Sequence, residues 1–183
     1  MTLLAHDWYP GEVPANVTLG ERSWLHSSFA FVHHRSDRDP SVQIGPDSGL
    51  YRGTYFDLGP QGQVVIGRCC TVAGATFSSN DRIVIGDYTL VAYGVVIAGS
   101  GFAVPPDARA AIGEDSRLEP RREIRIGDDA WIGTRAVVLG GSTVGDGAII
   151  GAAAVIDGEV PDYAIAAGNP ARIVGWAPPT HPA

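Results

Sequence analysis

The sequence predicts an all-β fold, a triangular parallel β-helix of about six coils, and three observations carry that prediction. Between Ile124 and Ile156, large aliphatic residues recur every six positions, at Ile126, Ile132, Val138, Val144, Ile150 and Ile156. Two residues before each stands Ile124, Ala130, Ala136, Ser142, Ala148 or Ala154. Each proposed coil also opens on an aliphatic-glycine doublet, from Leu19-Gly20 to Val144-Gly145. A period of six fits neither the helical 3.6 nor the simple alternation of a flat strand. It fits a short strand, a bend and another short strand, in which residues i and i-2 share the inward side because side chains alternate. Three such units close one triangular coil, and stacked coils line their aliphatic residues into ladders inside a prism.

The ladder can be followed through the chain. Coil one takes Leu19, Leu25 and Phe31; coil two Ile44, Leu50 and Phe56; coil three Ile66, Val72 and Ser78. Coil four takes Ile85, Val91 and Ile97; coil five Ile126, Ile132 and Val138; coil six Val144, Ile150 and Ile156. The glycines after the aliphatic residues, as at Gly127, Gly133 and Gly151, suit backbone positions where a side chain would be costly. All insertions fall after the third unit of a coil: seven residues near 33–39, four near 59–63, one near 80–82 and twenty-three between Ile97 and Glu123. They therefore leave one corner of the prism, where loops on a rigid scaffold are expected to carry function. Residues 1–16 read as an N-terminal arm, 17–157 as the β-helix with its inserted loop 98–123 after coil four, and 158–183 as a short C-terminal cap and tail.

Composition narrows the function. The chain has 183 residues, enough for one domain with a core, and a formal net charge of -7. Nucleic acid is not an expected partner, since no basic stripe is present. The start lacks a basic, apolar leader, and no apolar run is long enough to span a bilayer. A cytoplasmic protein without membrane contact is expected, so the Asn16-Val17-Thr18 sequon carries no weight. All thirteen basic residues are Arg, so lysine Schiff-base chemistry is excluded. The two cysteines, Cys69 and Cys70, are adjacent and poorly placed to bond each other. Cys70 reads as core, Cys69 as outward.

The six-residue repeat, Trp131-Ile132-Gly133 and the cap Gly168-Asn169-Pro170-Ala171-Arg172 together resemble the hexapeptide acyltransferases with a left-handed parallel β-helix. The likeness is strongest to the maltose/galactoside and xenobiotic O-acetyltransferases, over residues 83–175. The resemblance implies the left hand, a homotrimer, and acetyl-CoA or another acyl-CoA as co-substrate in a groove between neighbouring prisms, with no metal. It implies transfer of acetyl or a short acyl group to a hydroxyl or amine of a small molecule such as a sugar or natural product. Carried over by position, the CoA contacts are Thr134, Ala152, the Asp157-Gly158 turn and Arg172. Gly and Ala admit a thin pantetheine arm, and Arg pairs with phosphate. Asp157 departs from the pattern, because relatives often carry Thr there followed by Lys.

The family's base is a histidine on the long loop, and here that position is Phe102. The xenobiotic subgroup's alternative place holds Ser79-Asn80-Asp81-Arg82. His33 and His34, on the insertion corner, are the substitutes expected to take the proton; His26 reads as structural, and His6 and His181 lie in the ends. Other routes stay open. A carboxylate such as Asp81, Asp107, Glu114, Asp115 or Glu119 could serve. A neutral amine could attack unaided, with Arg109, Arg117, Arg121 and Arg122 holding an acidic acceptor. The remaining alternative is an inactive trimeric β-helix acting as a binding or scaffold protein. The carbonic anhydrases of this fold need three histidines around a zinc ion, a pattern the sequence does not show.

Overall fold

A computed structural model of the chain describes residues 4–99 and 123–179. Coil one is formed by β1 (Val17–Leu19), β2 (Trp24–Leu25) and a 3-10 turn over Ser28–Phe31. Coil two has β3 (Val42–Ile44), β4 (Gly49–Leu50) and β5 (Tyr55–Leu58). Coil three has β6 (Gln63–Ile66), β7 (Thr71–Val72) and β8 (Thr76–Ser79). Coil four follows with β9 (Arg82–Ile85), β10 (Leu90–Val91) and β11 (Val96–Ala98). Coil five has β12 (Ile124–Ile126), β13 (Trp131–Ile132) and β14 (Val137–Leu139), and coil six β15 (Thr143–Val144), β16 (Ile149–Ile150) and β17 (Val155–Ile156). Parallel pairing runs one step further than the periodicity, through β18 (Glu159–Val160) and β19 (Ala164–Gly168). Then β20 (Ala171–Trp176) turns back antiparallel on β19.

These strands stack into three parallel sheets, the faces of a left-handed β-helix. The first face runs β1-β3-β6-β9-β12-β15-β18, the second β2-β4-β7-β10-β13-β16-β19-β20, and the third β5-β8-β11-β14-β17. Leu25, Leu50, Val72, Val91, Ile132 and Ile150 form the buried ladder of the second face. On the third face the rings of Phe31, Phe56 and Phe77 stack in turn, with centroids 5.1 and 4.9 Å apart. One rung differs from the sequence reading. Phe77, not Ser78, faces inward in coil three, in register with Phe56 and Ile97. The second turn of that coil is one residue shorter than its neighbours, so a strict count of six from Val72 overshoots.

The glycine doublets are explained by approach rather than by dihedral freedom. A Cβ on Gly127 would lie 2.8 Å from the backbone nitrogen of Asp146, and one on Gly133 would lie 2.6 Å from the carbonyl oxygen of Ile150. Beside the first of these turns runs a column of aspartates. Asp87 accepts from the Arg68 N–H at 2.9 Å, Asp128 from Asp87 at 2.7 Å, Asp146 from Asp128 at 2.9 Å and Asp162 from Asp146 at 3.0 Å. Left-handed residues mark the same corner, including Asp47, Cys69, Tyr88, Asp129 and Tyr163. Cys69 thus sits at a corner, and Cys70 is buried with its thiol pushed up by burial.

Three of the expected insertions leave one corner: segments 32–41, 59–62 and 80–81 all connect the third face to the first, and the expected long loop falls almost wholly outside the described residues. The first lies on the second through Arg35 N–H to Leu58 O at 2.9 Å and Ser36 Oγ to Gly62 O at 2.6 Å. The side chain of Asn16, part of the sequon, donates to the carbonyls of Ser36 and Arg38. It ties the end of the arm to that loop.

The arm is docked by one carboxylate. Asp7 accepts from Ser27 Oγ, Ser28 N–H and Ser28 Oγ, each at 2.6 Å, and from Tyr9 N–H at 3.0 Å. His6 stacks on Trp24 at 4.2 Å and shares a hydrogen bond with the Leu25 carbonyl. Trp8 and Tyr9 pack against Phe29. Burial opposes ionisation of Asp7, but the hydrogen bonds outweigh it and hold the carboxyl far below its usual range.

Two outcomes follow from this packing. Phe56→Ala should destabilise the protein by about 3–5 kcal/mol in denaturant titration, since it empties the middle of a buried aromatic stack; a loss below about 1 kcal/mol contradicts that packing. The lowered Asp7 pKa makes arm docking fully supported above the ordinary value of 3.8, to be lost only as pH falls through the lower native value. Asp7→Asn should therefore speed chymotryptic cleavage after Trp8 near neutral pH, whereas wild-type cleavage at that site should stay slow there. Equal rates in the two proteins contradict the docking role.

Candidate functional site

The larger opening does not lie on the insertion corner. It lies between the second and third faces at coils one and two, a cleft of about 670 Å³ whose outer wall is the docked arm. Trp8, His26, Phe29, Arg52, Tyr55 and Tyr93 line it. Local structure puts them there. Phe29 sits on the 3-10 turn that replaces the third strand of coil one and meets Tyr55 edge-on at 5.7 Å. Tyr93 reaches across coil three because Gly74 leaves it room: a Cβ there would lie 2.7 Å from the Tyr93 ring. Gly74 and Gly53 both have positive φ, 64° and 85°, which the turn needs of them.

The same corner continues past Tyr93 as a column of small residues. Gly94 N–H donates to Gly74 O at 2.9 Å, Arg135 N–H to Tyr93 O at 3.0 Å, and Ala153 N–H to Thr134 O at 2.9 Å. Thr134 and Ala152, two of the expected CoA contacts, are thus stacked neighbours, both exposed. The other three expected contacts gather elsewhere. Asp157, Gly158 and Arg172 line a second cleft of about 260 Å³, where coil six meets the β19–β20 hairpin. Gly158 has φ 124° with open space where a side chain would be, and its N–H donates to Ser142 Oγ at 3.1 Å. Arg172 donates to its neighbour's carbonyl, Ala171 O, at 2.7 Å. Asp157 and Glu159 share this cleft with Arg172, so its lining carries two carboxylates and one guanidinium.

The histidines separate by environment. His33 is exposed on the insertion corner. His34 is half-buried, edge-on to Phe31 at 6.0 Å, with Nε2 2.8 Å from Ser41 Oγ. Ser41 Oγ donates to the Asn16 carbonyl at 2.9 Å, so it accepts from His34 Nε2–H. That leaves Nδ1 as the lone-pair nitrogen. Burial lowers the His34 pKa and favours its neutral form. His26, read from the sequence as structural, stands in the wall of the large cleft, and its ring makes no hydrogen bond among the described residues. Its place one residue after a ladder position was legible; the arm that turns this place into a cleft wall was not. Asp81 is half-buried, and its N–H is capped by Ser79 Oγ at 2.8 Å. Phe102, the acids Asp107, Glu114, Asp115 and Glu119, the arginines Arg109, Arg117, Arg121 and Arg122, and His181 lie outside the described residues.

Among the described residues, no three His, Cys, Asp or Glu side chains group as a metal site, and no helix is long and apolar enough to cross a membrane. The second face carries an outward column on the same registers as its buried ladder. In it Trp24, Leu90 and Trp131 remain 44%, 40% and 54% exposed.

Comparison with known proteins agrees with this architecture. Residues 123–158 match the family described as bacterial transferase hexapeptide (six repeats). The galactoside O-acetyltransferase of Escherichia coli (strain K12) is 30% identical over 132 residues, covering 72% of this chain and 62% of that enzyme. The crystal structure of the polySia-specific acetyltransferase NeuO superposes with a TM-score of 0.59 at 26% identity, over 76% of this chain and 64% of that one. The acetyltransferase domain of PglB from Neisseria gonorrhoeae FA1090, in complex with acetyl coenzyme A, gives a TM-score of 0.54 at 26% identity over 74% and 52%. The chain thus spans less than two thirds of the length of each of these relatives. The periodicity, the stacked faces and these likenesses converge: the chain carries the hexapeptide repeat and the β-helix of the acyltransferases it resembles.

Proposed function

We propose that the protein transfers an acetyl or other short acyl group from acyl-CoA to a hydroxyl or amine of a small molecule. The observation that carries this reading is the column of small residues on the corner between the second and third faces. Toward Thr134 and Ala152, both exposed, the side chains are small enough for a pantetheine arm to approach the backbone. The acetyl coenzyme A complex of the PglB domain and the sugar and antibiotic acetyltransferases among the relatives support it. In this reading the nucleotide phosphates lie toward Arg172, and Asp157 weakens their hold. A homotrimer completes the groove, and the exposed Trp24, Leu90 and Trp131 suit a face that associates with a second copy.

The acceptor oxygen or nitrogen attacks the thioester carbonyl, backbone N–H groups hold the oxyanion, and the thiol of CoA leaves. A base takes the acceptor's proton and returns it to the departing sulfur. His33 and His34 are proposed for that role, and His26 joins them because it stands in the large cleft. His34 has the oriented, neutral ring that a base needs, while His26 has the opening. An amine that arrives neutral needs none of the three.

Calorimetric titration with acetyl-CoA tests the groove. Micromolar binding is expected, weakened about tenfold or more in Arg172→Gln and strengthened in Asp157→Asn; no binding to the wild type overturns the transferase reading and leaves a scaffold. Thiol release with a panel of sugars and amines tests the base. Alanine at the true base should lower turnover at least about a hundredfold, with sedimentation showing the trimer retained. If that base is His34, its lowered pKa keeps it neutral at pH 6.5 and above, so the rate should fall only on the acid side of that value. Unchanged turnover in all three variants excludes a histidine base, and a monomer in sedimentation excludes the shared groove.

A further inference from the structure

The large cleft has a chemistry of its own. Among the described residues its lining includes one arginine, Arg52, and one histidine, His26, but no carboxylate, in a chain whose formal net charge is -7. Arg52 is exposed and makes no hydrogen bond or ion pair among the described residues. Elsewhere the described arginines are commonly neutralised: Arg22 pairs with Asp47 at 2.6 Å, Arg68 with Asp87 at 2.9 Å and Arg82 with Glu123 at 3.1 Å. The Asp7 carboxylate beside this cleft is already taken up by Ser27 and Ser28, and a guanidinium without an ion pair among the described residues, in a concave site, favours an anion.

The walls supply the second half of the recognition. Trp8, Tyr51 and Tyr93 stand 65%, 47% and 59% exposed around the opening. Their flat faces suit a ring with apolar faces. The hydroxyls of Tyr51, Tyr55 and Tyr93 make no hydrogen bond among the described residues, and with the His26 ring they can meet a ring rich in hydroxyls. A volume of about 670 Å³ is in the range of small-molecule sites. The cleft also opens on the corner along which Gly74, Gly94, Thr134 and Ala152 stack, so its contents lie at one end of that column.

We propose that this arm-walled cleft binds a pyranose bearing an anionic substituent, carboxylate or phosphate, with Arg52 on the anion and the aromatic side chains against the ring. That this ligand is the acyl acceptor rests on the transferase reading; that it binds does not.

The test is calorimetric or NMR titration of the full chain, without acyl-CoA, using glucuronate, glucose 1-phosphate, glucose and inorganic phosphate. The anionic sugars should bind at least about tenfold more tightly than glucose. Arg52→Gln should abolish that preference while leaving glucose binding unchanged. Tyr93→Ala should weaken both sugar classes about fivefold or more, and unaltered thermal melting and acetyl-CoA binding would show that each variant is folded. Absence of saturable sugar binding, an Arg52→Gln variant that keeps the preference, or inorganic phosphate binding as tightly as glucose 1-phosphate each overturns the proposal. Sugar binding without thioester cleavage would support the cleft and count against the transferase reading. Thioester cleavage without sugar binding would do the reverse.

Discussion

Each coil of the prism must close back into register one strand spacing above the last, and the rest of the structure depends on that constraint. Parallel strands lie about 4.8 Å apart, so the corners have to come as close as the strands do. At the first corner this is met by an aliphatic-glycine doublet whose glycine faces the backbone of the next coil, with Gly127 over the Gly145-Asp146 turn as the clearest case. The aspartate that follows then accepts the N–H of the coil before it, and four such bonds run from Arg68 to Asp162. Like charges stacked at that spacing repel. The hydrogen bonds offset this, as the lowered pKa of Asp87 shows, caused first by the Arg68 N–H and then by the Arg68 side chain.

The three corners solve the same closure problem differently, and that difference positions the clefts. The corner of the aspartates is filled by hydrogen bonds and left-handed residues. The corner between the third and first faces accepts insertions, because its connections can bulge outward and then lie on one another, as residues 33–39 do on 59–62. The remaining corner sets glycines beneath long side chains, Gly74 under the Tyr93 ring and Gly94 beside Arg135, before it narrows to Thr134 and Ala152. There the arm docks, held by the Asp7 carboxylate, and turns an open edge into a walled cleft.

Two sets of groups with opposite electrostatics result. At the far end of the prism, Asp157 and Glu159 line the same small cleft as Arg172. At the near end, Arg52 and His26 face a cleft with no acid in its lining. At that same near end, but on the insertion corner, His34 is half-buried, oriented by Ser41 and Asn16, and biased by burial toward its neutral form. A chain without lysine thus distributes its few unpaired basic groups along the solenoid rather than in one patch.

The six-residue period by itself determined the coil, because inward side chains at i and i-2 recur only if the chain bends after each short strand. It placed seventeen of eighteen ladder residues inside or against the core, and it located the insertion corner, since extra residues shift the count wherever they occur. It failed at Ser78, where a turn one residue shorter moved Phe77 inward, because a strict count of six carries no information on a shortened turn. The aspartate column was legible two residues beyond the aliphatic position in Ile85-Gly86-Asp87, Ile126-Gly127-Asp128 and Val144-Gly145-Asp146. The division of the expected CoA contacts between two places, and the move of His26 from core neighbour to cleft wall, were decided only in three dimensions. Both depend on which faces the arm and the terminal hairpin fold back upon, and such contacts join residues far apart in the chain that no local pattern relates.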